Sequence, residues 1–366
     1  MKKVQVIYDS QTFDLQKFGG ISRYFCEIIS RLHIKYDISL RYTENHYLLQ
    51  SKLARHLIRL PHFIFKHLEW KLHRKNRKFI RKRLQTSSFY LFHPTYYDPY
   101  FLKFIDDNPF VITVHDMIHE LFPEFFNNSE EMIRQKAEII KKANWIIAIS
   151  ENTKKDIINI LGISPEKISV IYHGTSMKAP DRKAKLSLPD RYILFIGDRA
   201  IYKNFQRLLE AFASITQIDK NLNLICTGSA FSEDERQQIS SLNIENQILQ
   251  IPINDKYLNE LYNRALLFIY PSLYEGFGIP ILEAFACNCP VALSNTSCFP
   301  EIAGDAGAYF DPYSVASIAS KISEYVYDEN KRQALIIAGK ERLRLYSWEK
   351  SAEETERIYK KVLRII

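Results

Sequence analysis

The 366-residue sequence contains no uninterrupted apolar run that approaches about 18 residues, so we expect no transmembrane helix. Its first residues pass directly into an apolar strand pattern and lack the apolar core and cleavage site of a signal peptide. Cysteine is scarce and odd in number, and its spacing matches no common zinc or redox motif. The five cysteines are Cys26, Cys226, Cys287, Cys289 and Cys298. We therefore expect reduced thiols and a cytoplasmic protein.

Glycine is also scarce, with only 11 residues, while 46% of the chain is hydrophobic, as in a folded globular protein. No internal repeat or low-complexity tract is visible, which excludes solenoid and disordered classes. No Asp-x-Asp motif follows a predicted strand, so we expect neither an essential metal nor a cofactor. The length is sufficient for two α/β domains of ordinary size.

The net charge of +8 is unevenly distributed. Between Lys52 and Arg83 the chain has twelve Lys and Arg residues and a single acid, Glu69, so the remainder is slightly acidic. Apolar residues interleave with these bases, which predicts a basic amphipathic helix able to lie in an anionic membrane interface. Each base near such a surface contributes roughly 1 kcal/mol of attraction. A solvated helix face and a nucleic-acid patch are the other interpretations, but no nucleic-acid-binding motif accompanies the charge.

Short apolar runs alternate with helical stretches through the first half of the chain, which predicts a parallel, doubly wound sheet. Predicted strands are Val4–Tyr8, Phe89–Phe92, Phe110–Val114 and Trp145–Ile149, and predicted helices are Ile21–Leu32 and Glu130–Ala143. Ser150 has the chemistry to cap a further helix. These elements define an N-terminal domain, residues 1–176.

Between Gly174 and Leu188 the pattern gives way to Lys, Ser, Pro and Asp, which indicates an interdomain linker. A second domain, residues 188–348, follows it. Its predicted elements include strand Tyr192–Ile196, helix Phe205–Ile215, strand Asn223–Thr227, helix Asp255–Ala265 and strand Leu266–Tyr270.

The segment from Tyr274 to Glu283, Tyr-Glu-Gly-Phe-Gly-Ile-Pro-Ile-Leu-Glu, carries the most specific signal. It follows a buried strand and opens a helix, so Glu275 is expected at the carboxyl end of a strand, where open α/β sheets bind ligands. Gly276 and Gly278 allow backbone amides to approach a ligand, and a helix N-terminus favours an anion such as a diphosphate. A second carboxylate one turn further in can reach hydroxyls, so the pattern predicts a sugar-nucleotide site.

This segment resembles the Glu-x7-Glu signature of the retaining glycosyltransferases of family 4, and the downstream Phe299–Gly307 matches the usual continuation. The resemblance implies the GT-B fold, two Rossmann-like doubly wound parallel-sheet domains facing a cleft. Trp348-Glu-Lys-Ser-Ala resembles the point where the last helix of such enzymes, here 349–366, crosses back to the first domain.

The resemblance also assigns residue roles. Gly197–Asn204 is similar to the diphosphate clamp of the family, with Arg199 and Lys203 as its cations, which would stabilise a departing diphosphate. Glu275 would bind sugar hydroxyls near the anomeric carbon. His115, in Val-His-Asp, would hydrogen-bond the donor sugar.

Donor-binding residues complete the expected site. They are Gly19 and Gly20 in the first glycine loop, Gly276, Phe277, Gly278 and Ile279 at the signature helix, Glu283 on the ribose, and Gly228 and Ile251 near the base. Nothing near Gly228 or Ile251 distinguishes guanine from uracil. His93 and His173 are weaker candidates, Asp116 can instead hold a backbone turn, and Ser150 is expected on the acceptor side.

The resemblance implies a retaining transferase that moves a hexose from a nucleotide diphosphate sugar to a glycan acceptor in cell-surface polysaccharide synthesis. The basic apolar segment indicates that this acceptor is lipid-linked. Mannose from GDP-mannose is preferred because the branch resembles mannosyltransferases. The enzyme would lie on the inner face of the cytoplasmic membrane. A UDP-sugar transferase of the same fold, a GT-B epimerase or phosphorylase, and a non-catalytic membrane-associated scaffold are the alternatives.

Overall fold

A computed structural model of the chain describes residues 5–127, 129–180, 186–252 and 255–364. The chain divides into two compact units, the first comprising Met1–His173 with Ser347–Ile366 and the second Gly174–Tyr346. The linker expected between residues 174 and 188 falls partly on 181–185, and those residues lie outside the described part of the chain.

The first unit is built on short parallel strands. They are β1 (Gln5–Tyr8), β2 (Tyr36–Ile38), β3 (Tyr90–His93), β4 (Val111–Val114), β5 (Trp145–Ala148) and β6 (Ile168–Val170). They form two sheets, ordered β2-β1-β3 and β4-β5-β6, which a parallel bridge between Phe92 and Phe110 joins. The order reverses between β1 and β3. The predicted first strand began at Val4, which lies outside the described residues.

Helices cover these strands. They are α1 (Gln11–Leu15), α2 (Gly20–Ile29), α3 (His46–Ser51), α4 (His62–Thr86), α5 (Ile118–Leu121), α6 (Ser129–Lys142), α7 (Glu151–Leu161) and, from the end of the chain, α15 (Trp348–Val362). Ser150 caps α7 by accepting a hydrogen bond from the Thr153 amide, as predicted. Within the described residues, no helix is long and apolar enough to cross a membrane.

The second unit contains one six-stranded parallel sheet. Its strands are β7 (Tyr192–Phe195), β8 (Asn223–Thr227), β9 (Ile248–Ile251), β10 (Leu267–Tyr270), β11 (Val291–Ser294) and β12 (Gly307–Phe310). Their order, β9-β8-β7-β10-β11-β12, is the Rossmann order with its switch point between β7 and β10. Every described residue of β7, β8, β10 and β11 except Asn223 is buried, as expected of a sheet covered on both faces.

The helices of this unit enclose the sheet. They are α8 (Phe205–Thr216), α9 (Glu233–Ser241), α10 (Asp255–Arg264), α11 (Ile279–Ala286), α12 (Phe299–Ala303), α13 (Val315–Val326) and α14 (Glu329–Leu343). Helices α8 and α13 pack together on one face, where Leu208, Phe212, Ile318 and Ile322 are fully buried. The same core includes Phe195 of β7 and Ile269 of β10.

Helix α4 is the observed form of the predicted basic helix. It begins at His62, ten residues after the start of the predicted segment at Lys52. Its inner side packs Phe65, Leu72, Ile80 and Leu84 against the first unit. Burial of Ile80 and Leu84 in the core means that this apolar side is not available to a membrane. The prediction of a helix that lies in a membrane interface is therefore restricted to the outward face of α4, where it stays a prediction.

A chain of buried hydrogen bonds fixes α15 to the first sheet. The Tyr359 hydroxyl lies 2.8 Å from the Tyr8 hydroxyl and 2.6 Å from His93 Nδ1. His93 Nε2 is 3.0 Å from the Thr113 hydroxyl, which in turn is 3.1 Å from that of Tyr24. Burial lowers the pKa of His93 to about 3, so the imidazole is neutral and can donate through one nitrogen only. The chain thus joins β1, β3, β4, α2 and α15.

Removing the hydroxyl of Tyr359 tests this connection. Tyr359→Phe should lower the free energy of unfolding of the first unit by about 1–3 kcal/mol, because it leaves buried partners without a hydrogen bond. Chemical denaturation followed by fluorescence measures the loss. Tyr90→Phe is the matched control, since the Tyr90 hydroxyl is buried and has no partner among the described residues. An equal loss in both variants would contradict a specific role for the chain of hydrogen bonds.

Candidate active site

The switch point of the second unit brings two loops together. The loop that follows β7 contains Arg199 and Lys203, and the loop that follows β10 contains Glu275. Asn204 joins them because its side-chain amide donates to the carbonyls of Pro271, at 3.1 Å, and Pro312, at 2.7 Å. Asn204 adopts a left-handed conformation, φ 58°, in which asparagine is favoured over most residues. Open α/β sheets bind their ligands at such a crevice.

Lys203 and Glu275 form the central ion pair of this crevice. The ammonium lies 2.5 Å from Glu275 Oε1, and each side chain is 14% exposed. Burial disfavours the charged ammonium, but the charge and hydrogen bond of Glu275 outweigh that effect, so the pKa of Lys203 is raised above its ordinary value. The Ser272 hydroxyl donates to the same carboxylate oxygen at 2.9 Å. The carboxylate therefore has a fixed orientation and a compensated charge.

Arg199 has a different environment. Its guanidinium donates to Glu235 Oε1 at 2.6 Å and to the carbonyls of Thr227, Ser229 and Ala230 at 2.7–3.3 Å. The side chain is 5% exposed, and its guanidinium carbon lies 4.9 Å from the centre of the Phe231 ring. Arg199 thus holds the loop that follows β8. The two cations of the expected clamp are committed to different carboxylates, Lys203 to Glu275 and Arg199 to Glu235.

The signature segment forms a turn and the start of α11. Gly278 precedes the helix with φ 93°, and a Cβ there would lie 3.2 Å from the Phe299 ring, so glycine is required. Ile279 is the first helical residue. The Phe277 side chain is buried, with its ring 6.0 Å from that of Tyr346, so it packs in the core and leaves only its backbone to face a ligand.

Gly276 and Glu283 flank this turn. Gly276 connects the ion pair of Glu275 to the helix start. Glu283 lies one turn inside α11 and is only 4% exposed, and the Tyr262 hydroxyl donates to its Oε2 at 3.3 Å. The carboxylate of Glu283 therefore lies deeper in the unit than that of Glu275.

Gly228 directly follows β8, and Ile251 is the last residue of the neighbouring strand β9. A Cβ on Gly228 would lie 2.8 Å from the Gly197 carbonyl, so the loops after β7 and β8 can approach only because glycine is present. The Gln250 side chain donates to the Gly228 carbonyl at 2.7 Å and links the two strand ends. Ile251 is partly exposed beside this contact.

In the first unit, His115 directly follows β4. Its amide donates to the Tyr97 hydroxyl at 2.9 Å, and its ring packs edge-on against Tyr24 at 5.2 Å. Burial lowers the pKa of His115 to about 4, so the imidazole is neutral. Its Nε2 is buried without a hydrogen-bond partner in the described part of the chain. His173 is also buried, with its pKa well below the ordinary value for the same reason.

Gly19 and Gly20 lie at the start of α2. A Cβ on Gly19 would lie 2.2 Å from Gln16 Oε1, an oxygen that accepts a hydrogen bond from the Ser22 amide at 3.2 Å. Gly20 faces open space, with no atom within 4 Å of a Cβ placed there. A side chain at position 19 would therefore displace the flexible Gln16 side chain from this hydrogen bond, whereas Gly20 leaves the helix start accessible.

The sequence analysis missed several residues that support these sites. Lys136 is fully buried in α6 and lies 3.0 Å from Glu120 and 3.6 Å from Asp116. Burial raises the pKa of Asp116, but the charge of Lys136, the hydrogen bond from the Ile118 amide and other nearby groups together outweigh burial and lower that pKa. Asp116 therefore remains ionised beside His115. The sequence did not reveal the burial of Lys136, because this lysine lies in a helix with many other charged residues.

Glu235 was missed as well, although a signal existed. Ser232-Glu-Asp-Glu235 is a capping box, in which Glu235 Oε2 accepts from the Ser232 amide at 2.7 Å. The motif predicts the start of α9, but its second oxygen, which binds Arg199, is a tertiary contact that the motif does not reveal.

Comparison with known proteins identifies the family. The family profile described as "Glycosyltransferase Family 4" matches residues 18–178, and "Glycosyl transferases group 1" matches 177–342. The chain is 30% identical over 287 residues to the O-antigen chain mannosyltransferase B of Escherichia coli, covering 74% of each protein. The chain is a family 4 glycosyltransferase. The recognition made from the signature segment is confirmed.

Other relatives of this family 4 glycosyltransferase are more distant. The O-antigen chain mannosyltransferase RfbU of Salmonella typhimurium is 27% identical over 204 residues, 55% of this chain and 56% of that protein. A Campylobacter jejuni N-acetylgalactosaminyltransferase, whose name gives a diphospho-undecaprenol acceptor, is 28% identical over 160 residues, 42% of each.

The solved structure of HepE from Anabaena, in complex with UDP and glucose, has a TM-score of 0.77 at 18% identity. The match covers 97% of this glycosyltransferase and 99% of that chain. This likeness shows the fold, and with the two Rossmann-like units it confirms the predicted GT-B fold class.

The ion pair at the switch point can be tested by stability. Glu275→Gln should lower the free energy of unfolding of the second unit by about 3 kcal/mol, because it leaves the Lys203 ammonium buried without a counter-charge. Lys203→Met should have a similar effect, and the double variant should lose clearly less than the sum of the two. Chemical denaturation of the four proteins gives the coupling energy.

Lys331→Met is the control for removing a lysine from an ion pair, since its contact with Glu324 is at the surface, where an ion pair contributes much less than a buried one. Strictly additive losses in Lys203→Met and Glu275→Gln would show that the two residues are not coupled.

Proposed function

We propose that this glycosyltransferase moves a hexose from a nucleotide diphosphate sugar to a lipid-linked glycan acceptor during the synthesis of a cell-surface polysaccharide. The observation that carries the proposal is the Lys203–Glu275 ion pair at the switch point of a Rossmann-ordered sheet, beside the N-terminus of α11. A cation, a carboxylate and a helix N-terminus together meet the needs of a sugar attached to a diphosphate.

Lys203 is proposed to neutralise the diphosphate. As the glycosidic bond breaks, negative charge develops on the leaving group, and a lysine ammonium beside it stabilises that charge. Moving toward the phosphate would release Glu275, whose carboxylate is then available to bind sugar hydroxyls and stabilise positive charge near the anomeric carbon. One ion pair thus supplies both charges that the transition state requires.

The amides around Gly276, Gly278 and Ile279 are proposed to bind the same diphosphate at the start of α11, where the helix dipole favours an anion. Arg199 is proposed to act by its charge and by shaping the loop that contains Gly228, because its donors are engaged in the structure. In this proposal the cations and amides bind the diphosphate, and no role is assigned to a metal or a cofactor.

The remaining site residues follow the family resemblance. Glu283 is proposed to bind the ribose, Gly228 and Ile251 to line the base pocket, and Gly19 and Gly20 to present backbone amides. His115 is proposed to hydrogen-bond the donor sugar, which its neutral ring and its buried Nε2 support. We propose transfer with retention, with the leaving phosphate helping to deprotonate the acceptor.

The two domains are proposed to divide the substrates. Residues 1–176 with the helix 349–366 would bind the acceptor, and residues 188–348 would bind the nucleotide sugar. The second unit, Gly174–Tyr346, contains Lys203, Glu275 and the Rossmann switch point, which supports its assignment to the nucleotide.

Mannose from GDP-mannose is the proposed donor, supported by two relatives named as O-antigen chain mannosyltransferases. A UDP sugar is the second candidate, because HepE, which has the same fold, was solved with UDP. The lipid-linked acceptor is supported by the Campylobacter relative that is named for such an acceptor.

Thermal unfolding with a panel of nucleotides tests the proposal. GDP and GDP-mannose should stabilise the protein by about 2.7 kcal/mol at one hundred times their Kd, whereas UDP should not. Glu275→Gln and Lys203→Met should weaken the effect by about tenfold or more in affinity, and the surface variant Lys331→Met should not change it.

If UDP alone stabilises the protein, the proposed donor GDP-mannose is wrong and a UDP sugar takes its place. If no nucleotide stabilises a folded sample, the transferase proposal fails and a non-catalytic scaffold remains. Release of free GDP in the presence of acceptor separates a transferase from an epimerase or a phosphorylase.

We further propose that the outward face of α4 binds an anionic membrane, which would place the enzyme on the inner face of the cytoplasmic membrane. Phe63 and Trp70, seven residues apart on that face, are 73% and 62% exposed. The exposed bases around them are Lys66, Lys71, Lys75, Lys78, Arg81 and Lys82. Exposed aromatic rings among bases are typical of segments that lie in a lipid interface.

Binding to lipid vesicles tests this surface. The protein should sediment with vesicles that contain anionic lipid but not with neutral ones, since each base contributes roughly 1 kcal/mol near a negative surface. Replacing Phe63 and Trp70 by Ser should reduce the partition by about tenfold or more. The matched control replaces Ile218 and Ile337, which are 87% and 63% exposed in the second unit. Equal losses in both double variants, or equal binding to neutral vesicles, would refute the assignment.

A further inference from the structure

The first unit contains a pocket of about 540 Å³ at its own switch point. Its lining includes Gln11, which follows β1, and Tyr96 and Asp98, which follow β3. The sheet order reverses between these two strands, so the pocket lies where an open parallel sheet binds a ligand. Helices α4 and α6 form its sides with Arg74 and Gln135. Its volume lies within the range of about 300–1,000 Å³ that small-molecule sites occupy.

The floor of the pocket is rigid. Asp9 is fully buried, and it accepts hydrogen bonds from the Gln11 side chain, from the Thr95 amide and hydroxyl and from the Tyr100 hydroxyl. Gln11 in turn accepts from the Asp98 amide at 2.8 Å and donates to its carbonyl at 3.3 Å. The loops after β1 and β3 are thereby locked together. A preorganised floor of this kind lowers the ordering cost of binding.

The charges that line the pocket nearly cancel. Arg77 donates to Asp98 at 2.5 Å, so these two compensate each other. Asp14 accepts from the Ser10 hydroxyl at 2.6 Å and from the Asn76 amide at 2.8 Å, and His73 lies 3.9 Å away. Arg74 is exposed and has no ion-pair partner among the described residues. The lining therefore presents one cation and one carboxyl group, which suits an uncharged polar ligand better than a nucleotide or a lipid chain.

The chemistry of the lining matches a ring bearing several hydroxyls, because each hydroxyl both donates and accepts. Arg74 only donates, while Gln135 can do both. Burial raises the pKa of Asp14 to about 7, so near neutral pH its carboxyl can accept from one hydroxyl or, when protonated, donate to another. The Tyr96 ring, which packs 4.8 Å from that of Tyr97, offers an apolar surface to the face of a sugar.

We infer that this pocket binds a hexopyranose unit of the acceptor glycan, with Asp14, Arg74 and Gln135 on its hydroxyls and Tyr96 against its ring. The inference rests on the proposed transferase function, which supplies the acceptor. It identifies the acceptor unit as an uncharged sugar.

Saturation-transfer NMR of the full chain with methyl hexopyranosides and short gluco-, galacto- and manno-oligosaccharides tests the pocket without a donor. At least one of these sugars should bind, and Gln135→Trp, which fills the pocket, should weaken that binding by about tenfold or more. Asp14→Asn should weaken it by a smaller factor. Arg134→Trp is the matched control, since this neighbouring residue on α6 is exposed and does not line the pocket. Thermal unfolding of each variant verifies that it is folded.

The outcomes separate the two proposals. If no sugar in the panel binds, or if Gln135→Trp and Arg134→Trp have equal effects, the pocket assignment fails whether or not nucleotides stabilise the protein. If a sugar binds in the pocket but no nucleotide stabilises the protein, the transferase function fails and the pocket stands as a sugar site. In a working enzyme, Gln135→Trp should raise the KM for the acceptor while leaving the KM for the donor unchanged.

Discussion

Parallel pairing of β7 with β10 is the interaction on which the candidate active site depends. Because both strands run in the same direction, their carboxyl ends meet at one edge, and Lys203 and Glu275, which are 72 residues apart, reach the same point. Asn204 then connects the loop after β7 to the loop after β10 through the Pro271 carbonyl, and to the residues that follow β12 through the Pro312 carbonyl. A short ion pair needs this rigidity, since two partly buried charges stabilise each other only when their geometry is held. The proximity of Lys203 and Glu275, on which the catalytic proposal depends, therefore follows from the strand order as well as from the residue types.

The parts of the fold that the sequence predicted are those with a local signal. Strand Asn223–Thr227 was predicted with its observed bounds, and helix Phe205–Ile215 ended one residue early, because apolar runs and helical periodicity mark such elements directly. The three-residue strands β2 and β6 were missed, since an element of that length has no measurable periodicity. The parallel, doubly wound sheet was predicted from the alternation of elements, which does not depend on the short strands, and the GT-B fold from the family resemblance.

The site was predictable only as a set of residues and not as a set of contacts. The signature segment named Glu275 and the glycines, but nothing local shows that Arg199 binds Glu235 or that Lys136 is buried beside Asp116. The basic helix shows the same limit. Its basic and apolar composition was evident from the sequence. Which apolar residues are buried, as Ile80 and Leu84 are, and which are exposed, as Phe63 and Trp70 are, depends on the elements that pack against the helix. Long-range packing decides which of several compatible faces is used.

The return of α15 to the first unit has a consequence for synthesis on the ribosome. Residues up to His173 emerge first, but Tyr359, which completes the hydrogen bonds of Tyr8 and His93, follows only after the whole second unit. At ordinary translation rates the delay is roughly 10–40 s. During that interval the nascent first unit exposes the buried groups that α15 later covers, so it is a natural client for chaperones. The second unit, which is continuous in the chain, can finish folding before the first.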